Sequence, residues 1–213
     1  MAVMLAPRCA ACAAPLERPT RGPVCGPCWA SVDLMRPPLC RLPENSAIDD
    51  SKSAGRYEGA LRDIIHAFKY DGRRTLAVRL GATMRAAGSD ILSTASCVVP
   101  VPLHPWRRLT RGFNQSADLA AQLDRPIVHA LWRTRATTPQ TGLTASGRQR
   151  NVRDAFSMSP LISRRVRRTM LAGQIVVLVD DVRTTGATLD ACARVLKEAG
   201  AREVRAITIA LAE

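Results

Sequence analysis

Apolar positions along this chain change period several times, and each change marks a different element. In YEGALRDIIHAFKYDG, Leu61, Ile64, Ile65 and Phe68 recur at i, i+3, i+4 and i+7, one face of a helix, with Gly72 as its stop. A second helix is predicted over Leu76–Ala87, followed by SCVVPVP, a short β-branched run that reads as a buried strand from Cys97. Asn114 can cap a helix through QSADLAAQL, and PIVHALW is a further candidate strand. IVVLV at 175–179 predicts another strand and 185–199 another helix, with Gly200 at its C′ position and EVRAITIAL as the last strand. Strands that alternate with helices predict an α/β fold, a parallel sheet flanked by helices on both faces.

Two stretches carry no such period at the start of the chain. Residues 1–42 hold cysteines among prolines and glycines, and residues 43–55 are polar and turn-rich, so they read as a linker to a main domain over 56–213. A third aperiodic stretch, 133–150, is a long polar loop, and loops of that length in compact domains usually serve function or are disordered.

Cys9-x-x-Cys12 and Cys25-x-x-Cys28, twelve residues apart, have the spacing of two knuckles that supply four thiolates to a structural zinc ion. A metal would replace the core that residues 1–42 lack. Redox Cys-x-x-Cys motifs would need a thioredoxin-like βαβ context, which is absent. Cys97 and Cys192 fall on apolar faces and read as packing residues, while Cys40 is left without a second partner because Pro43 stands three positions on. No apolar run approaches the ~18 residues that span a bilayer, and no basic n-region precedes an h-region, so a cytoplasmic protein is expected.

Charge sharpens the picture. Net charge is +13, and only Lys52, Lys69 and Lys197 of the 31 basic residues are lysine. Between positions 102 and 170 stand thirteen arginines and three aspartates, a local excess of 13 − 3 = +10. That centre suits a phosphate-rich ligand or nucleic acid.

The candidate chemistry lies in IVVLVDDVRTTGATLDA, where a strand ends on Asp180 and Asp181. Ligands of open parallel sheets bind beyond the carboxyl ends of the strands, so the pair is expected at the mouth of a site. Next come Val182, Arg183, Thr184, Thr185, Gly186, Ala187 and Thr188, a bend that opens a helix whose N-terminus can cradle a phosphate. Gly186 allows close approach of backbone, and the three threonines add hydroxyl donors. Carboxylates for sugar hydroxyls beside a phosphate cradle describe a phosphorylated ribose. No Walker A pattern occurs.

These residues resemble the phosphoribosyl-diphosphate (PRPP) loop of type I phosphoribosyltransferases. With YEGALRDIIHAFKYDG, VVPVPLHPWRRLTRGFNQSADLA and RTRATTPQTGLTASGRQRNVRDAF, the whole chain resembles the ComF family: a type I phosphoribosyltransferase-like sheet behind a small N-terminal Cys₄ zinc ribbon. The resemblance implies that Asp180 and Asp181 orient the ring hydroxyls, that residues 182–188 bind PRPP, and that Mg²⁺ accompanies the diphosphate. It places His104, Arg107, Arg108 and Arg111 in a pyrophosphate loop and Arg148 and Arg150 in a loop closing over it. Arg183 stands where the family often has an apolar or aromatic residue. Transfer of a phosphoribosyl group to an acceptor is the implied chemistry. The family's ties to competence imply an alternative: a non-catalytic DNA-uptake or repair accessory binding single-stranded DNA or a helicase-like partner. Acceptor and oligomeric state stay open.

Overall fold

A computed structural model of the chain describes residues 7–34, 42–103, 112–134 and 155–212. Its centre is a sheet of four strands, β1 (Asp50–Arg56), β2 (Cys97–Pro100), β5 (Ile175–Arg183) and β6 (Glu203–Leu211). The order is β1-β6-β5-β2 and every pairing is parallel, as the alternating pattern predicts. Two short strands, β3 (Leu131–Arg133) and β4 (Phe156–Met158), form a separate antiparallel pair.

Both faces of the sheet are covered, which is why β5 reads as an unbroken apolar run rather than an alternation. On one face Val177, Val179, Ile207 and Ile209 meet α2 (Gly59–Tyr70), α3 (Leu76–Ala87) and α5 (Gln115–Ala120). On the other, Val176, Leu178 and Val204 meet α7 (Ala187–Glu198) and the β3–β4 pair. The smaller helices are α1 (Gly26–Ala30), α4 (Ser89–Ser93) and α6 (Arg164–Val166), the last running into a π turn over Arg167–Leu171. Ile64, Ile65 and Phe68 of α2 are fully buried. Each such side chain contributes about 2 kcal/mol by leaving water, so α2 is anchored by its apolar stripe.

The cysteine-bearing segment packs onto this same face. Cys9 and Val24 belong to the cluster that holds Ile64 and Leu80, and the Arg79 guanidinium lies 4.3 Å from the centre of the Trp29 ring.

Several expectations need correction. Residues 50–55 are not a linker but most of β1, the edge strand beside β6. An edge strand tolerates polar residues because one side is unpaired. Here Ser53 and Thr208 share a hydrogen bond of 2.7 Å, and Asp49 is fixed by the Val204 N–H at 2.7 Å and by Lys197 at 2.7 Å. Gly55 is required at this edge, since a Cβ there would sit 2.6 Å from Leu61 Cδ2 and 2.9 Å from the Asp33 carbonyl oxygen. PIVHALW is not one strand: Ile127 bridges to Val98, and its last two residues, Leu131 and Trp132, open the short β3. Trp132 is 41% exposed and so is not the core anchor its type suggests.

Candidate functional site

The site is built where three elements converge on the carboxyl end of β5. Strand pairing continues past the predicted end through Asp180 and Val182 to Arg183, and the chain then turns over residues 184–186 into α7. Gly186 takes the N-cap position with φ +77°, a left-handed conformation open to glycine at little cost. As N-cap it offers no side chain to the first N–H groups of α7; the nearest hydroxyl contact is Ala187 N–H to Thr185 Oγ1 at 3.4 Å. Asp190, the acid of the first turn, is engaged elsewhere, accepting from Ala47 N–H at 2.7 Å and from Arg194 at 3.0 Å. The α7 N-terminus therefore presents donors and positive dipole to a cavity of about 50 Å³, lined by Asp180, Val182, Arg183 and residues 184–189.

Asp180 stands in the wall of that cavity and Asp181 follows it in the chain, both half-buried. Asp180 Oδ1 accepts from Ser116 Oγ, on α5, at 2.9 Å and from the Asp181 N–H at 2.9 Å. Asp181 Oδ1 accepts from Lys69 Nζ, on α2, at 2.8 Å, in a pair whose side chains are 15% and 13% exposed. Burial, with the Asp181 charge alongside, pushes the Asp180 carboxyl up to about 7, against the opposing pull of the Asp181 N–H, Ser116 and Lys69. Sequence reasoning missed Lys69 and Ser116. Ser116 leaves no signal beyond its place in the first turn of a helix, but Lys69 is one of three lysines in a chain that otherwise uses arginine.

Arg183 turns back beneath the loop. It is 6% exposed, its Nη1 donates to Ser51 Oγ at 2.6 Å, and a Cβ on Gly186 would lie 3.3 Å from its Nε. Its guanidinium thus sits under the glycine bend and ties the loop to β1. Thr184 and Thr185 are exposed, and Gly186, Ala187 and Thr188 half-buried. His104, Arg107, Arg108, Arg111, Arg148 and Arg150 lie outside the described residues, as does Cys40.

The second cluster is the cysteine quartet. Sulfur atoms of Cys9, Cys12, Cys25 and Cys28 all lie within 4.8 Å of one another, and Cys12 and Cys25 are 3.8 Å apart. Four thiolates around zinc, with Zn–S of about 2.3 Å, stand about 3.8 Å from each other, so the set fits the ion. Burial works against the Cys9 thiolate, yet the N–H groups of Cys12, Cys25 and Ala11 and the Cys12 thiol outweigh it and bring Cys9 down to about 6. Burial and the three sulfurs beside it push Cys28 far up. Cys9 thus holds a negative charge readily while Cys28 resists one, a conflict that a dication between them would relieve. Cys97 and Cys192 are buried in the core, as read from their faces.

Comparison with known proteins agrees with this geometry. Residues 109–212 match the phosphoribosyl transferase domain. Competence protein F of Haemophilus influenzae is 30% identical over 86% of this chain and 82% of its own length. DNA utilization protein YhgH of Salmonella typhimurium is 32% identical over 92% of this chain and 81% of its own. The chain belongs to the ComF/YhgH family. Among solved structures, the allosteric regulatory enzyme of purine biosynthesis is similar at 25% identity and a TM-score of 0.40, over 63% of this chain and 25% of that one. The domain match takes in α5, β5 and the glycine bend but stops short of α2, so in this ComF/YhgH chain Lys69 reaches the acid pair from outside the matched segment. Among the described residues no helix is long and apolar enough to cross a membrane.

Proposed function

We propose that this chain binds PRPP with Mg²⁺ between β5 and α7 and transfers its phosphoribosyl group to an acceptor, releasing pyrophosphate. The observation that carries this reading is the half-buried acid pair one bend away from a helix N-terminus whose N-cap, Gly186, offers no side chain. The N–H groups opening α7, with the hydroxyls of Thr184, Thr185 and Thr188, would hold the 5-phosphate. Arg183 adds a fixed positive charge from below.

Asp180 and Asp181 would receive the ribose hydroxyls and offset positive charge as the ring becomes oxocarbenium-like. In the step itself the bond from C1 to the diphosphate oxygen breaks with its electron pair leaving on pyrophosphate. The acceptor's lone pair then forms the new bond to C1, and the acceptor gives up a proton. Mg²⁺, held chiefly by the substrate, would neutralise the leaving diphosphate. His104, Arg107, Arg108, Arg111, Arg148 and Arg150 are proposed to face that diphosphate, as the family resemblance implies. Cys9, Cys12, Cys25 and Cys28 are proposed to hold structural Zn²⁺.

Calorimetric titration with PRPP and Mg²⁺ tests binding, and pyrophosphate release across nucleobases and ammonia tests turnover. Mg²⁺-dependent binding that disappears in Asp180→Asn/Asp181→Asn supports the reading; binding that persists in that variant refutes it.

A second reading, a DNA-handling accessory, draws on one specific feature. Arg164, Arg165, Arg167 and Arg168 are all exposed, with no acid between positions 155 and 180 to oppose them. Relatives bearing the names competence protein and DNA utilization protein point the same way. Steeply salt-dependent binding of single-stranded DNA, lost when these arginines become alanine, with no affinity for PRPP, would favour this reading over the first.

A further inference from the structure

Lys69 is an unusual choice in this chain, which otherwise favours arginine 28 to 3. It lies in the last turn of α2, where any cation is stabilised by the helix dipole, but a lysine there for that purpose alone would extend into solvent. Instead its side chain is 15% exposed and its ammonium is 2.8 Å from Asp181 Oδ1. The surrounding backbone is held as well, since Gln115 Nε2 donates to the Lys69 carbonyl at 3.4 Å. Gln115 is the residue before Ser116, the donor to Asp180. The end of α2, the start of α5 and the end of β5 therefore meet on the two carboxylates.

An ammonium is a compact charge that can engage one carboxylate oxygen, whereas a guanidinium would span both. With Lys69 on Oδ1, Asp181 Oδ2 is left to a ligand. Two adjacent carboxylates facing a ligand with several phosphate charges would repel it, and Lys69 cancels one of them.

We infer that Lys69 is a positioning residue of the phosphoribosyl site, orienting Asp181 toward ribose hydroxyls and halving the negative charge that the acid pair presents to PRPP. This rests on the phosphoribosyl reading of the site. The charge on the pair also depends on pH, because Asp180 takes up its proton near neutrality. The groups acting on Asp180 are Asp181 on its own strand, Ser116 from α5 and Lys69 from α2. Cys192 of α7 is close enough to feel its charge, with Arg133 of β3 acting on that thiol in turn.

The test is the affinity of wild type and Lys69→Met for PRPP with Mg²⁺ at pH 6 and pH 8, beside their affinity for inorganic phosphate, which should touch the loop alone. Lys69→Met is expected to weaken PRPP binding tenfold or more at pH 8 and clearly less at pH 6, where Asp180 carries a proton, with phosphate affinity unchanged within twofold. Lys69→Arg, which keeps the charge but would span both Asp181 oxygens, should keep the wild-type pH dependence while binding PRPP more weakly than wild type at both pH values. A PRPP affinity that stays within twofold at both pH values would overturn the inference, as would equal losses for PRPP and phosphate. If Lys69→Met does not fold, Lys69→Gln, a neutral donor, carries the same comparison. Wild type that binds phosphate but not PRPP would remove the phosphoribosyl reading and this inference together. Wild type that binds both, with an unresponsive variant, removes only the role of Lys69.

Discussion

Asp180 should be a residue whose removal stabilises the fold while destroying its use. Burial and the neighbouring Asp181 hold its carboxyl at about 7, against an ordinary value of 3.8. The folded protein therefore binds this proton more tightly than the unfolded chain does, so the contribution is favourable below about pH 4 and is lost as pH rises toward 7. At about 1.4 kcal/mol per pH unit, the ceiling on that loss is ~4 kcal/mol. Asp180→Asn removes the titration and keeps an oxygen to accept from Ser116 Oγ and the Asp181 N–H, but gives up the attraction to Lys69. A net gain of about 1–2 kcal/mol at pH 8 is expected, or ~2–8 °C in melting temperature for a chain of this size. Urea unfolding of both proteins at pH 5 and pH 8 measures it, and comparison at matched pH cancels the titrating groups that do not interact with Asp180. The stability gap should open with rising pH. A variant no more stable than wild type at pH 8, or a gap independent of pH, would refute the account of Asp180. Such a stability gain at the expense of a site is the trade expected where function requires a buried charge.

Three further perturbations read other parts of the structure. Cys12→Ser removes the most exposed of the four thiols, so lost packing is a minor effect; zinc content should drop to near zero and the melting temperature should fall, and an unchanged zinc content would remove the metal assignment. Gly186→Ala places a Cβ in the left-handed region, 3.3 Å from Arg183 Nε, and should cost about 1–2 kcal/mol in urea unfolding and weaken phosphate binding with it. Arg183→Leu deletes the bond to Ser51 and the charge beneath the cradle, so phosphate affinity should fall about tenfold and lose part of its salt dependence; an affinity equal to wild type would assign Arg183 to packing alone.

The fold was legible wherever burial imposed a period. Leu61, Ile64, Ile65 and Phe68 gave α2, and the apolar run at 175–179 gave β5, because each must face a core on one or both sides. β1 was not legible, since an edge strand joined on one side can be written as DSKSAGR. The short β3–β4 pair escaped for a related reason: three residues are too few for an alternation to stand out. In the candidate site, the acid pair and the glycine bend could be read because the chemistry is contiguous in sequence. Lys69 and Ser116 could not, lying 112 and 64 positions from the acids they hold, so only the folding of α2 and α5 onto β5 brings them there.

That placement gives the cysteine module a bearing on the site without touching it. Cys9 and Val24 are buried in the same core cluster as Ile64 and Phe68 of α2, and α2 ends in the turn that holds Lys69 on Asp181. A metal held by the four thiols, as proposed above, would keep this segment in shape and with it one side of the core that α2 joins. Because closely packed interiors transmit small displacements, a shift of α2 would reach the ion pair that its last turn makes with Asp181. Removing zinc with a chelator should therefore loosen the Lys69–Asp181 contact before it loosens the glycine bend between β5 and α7, on the far side of the strand.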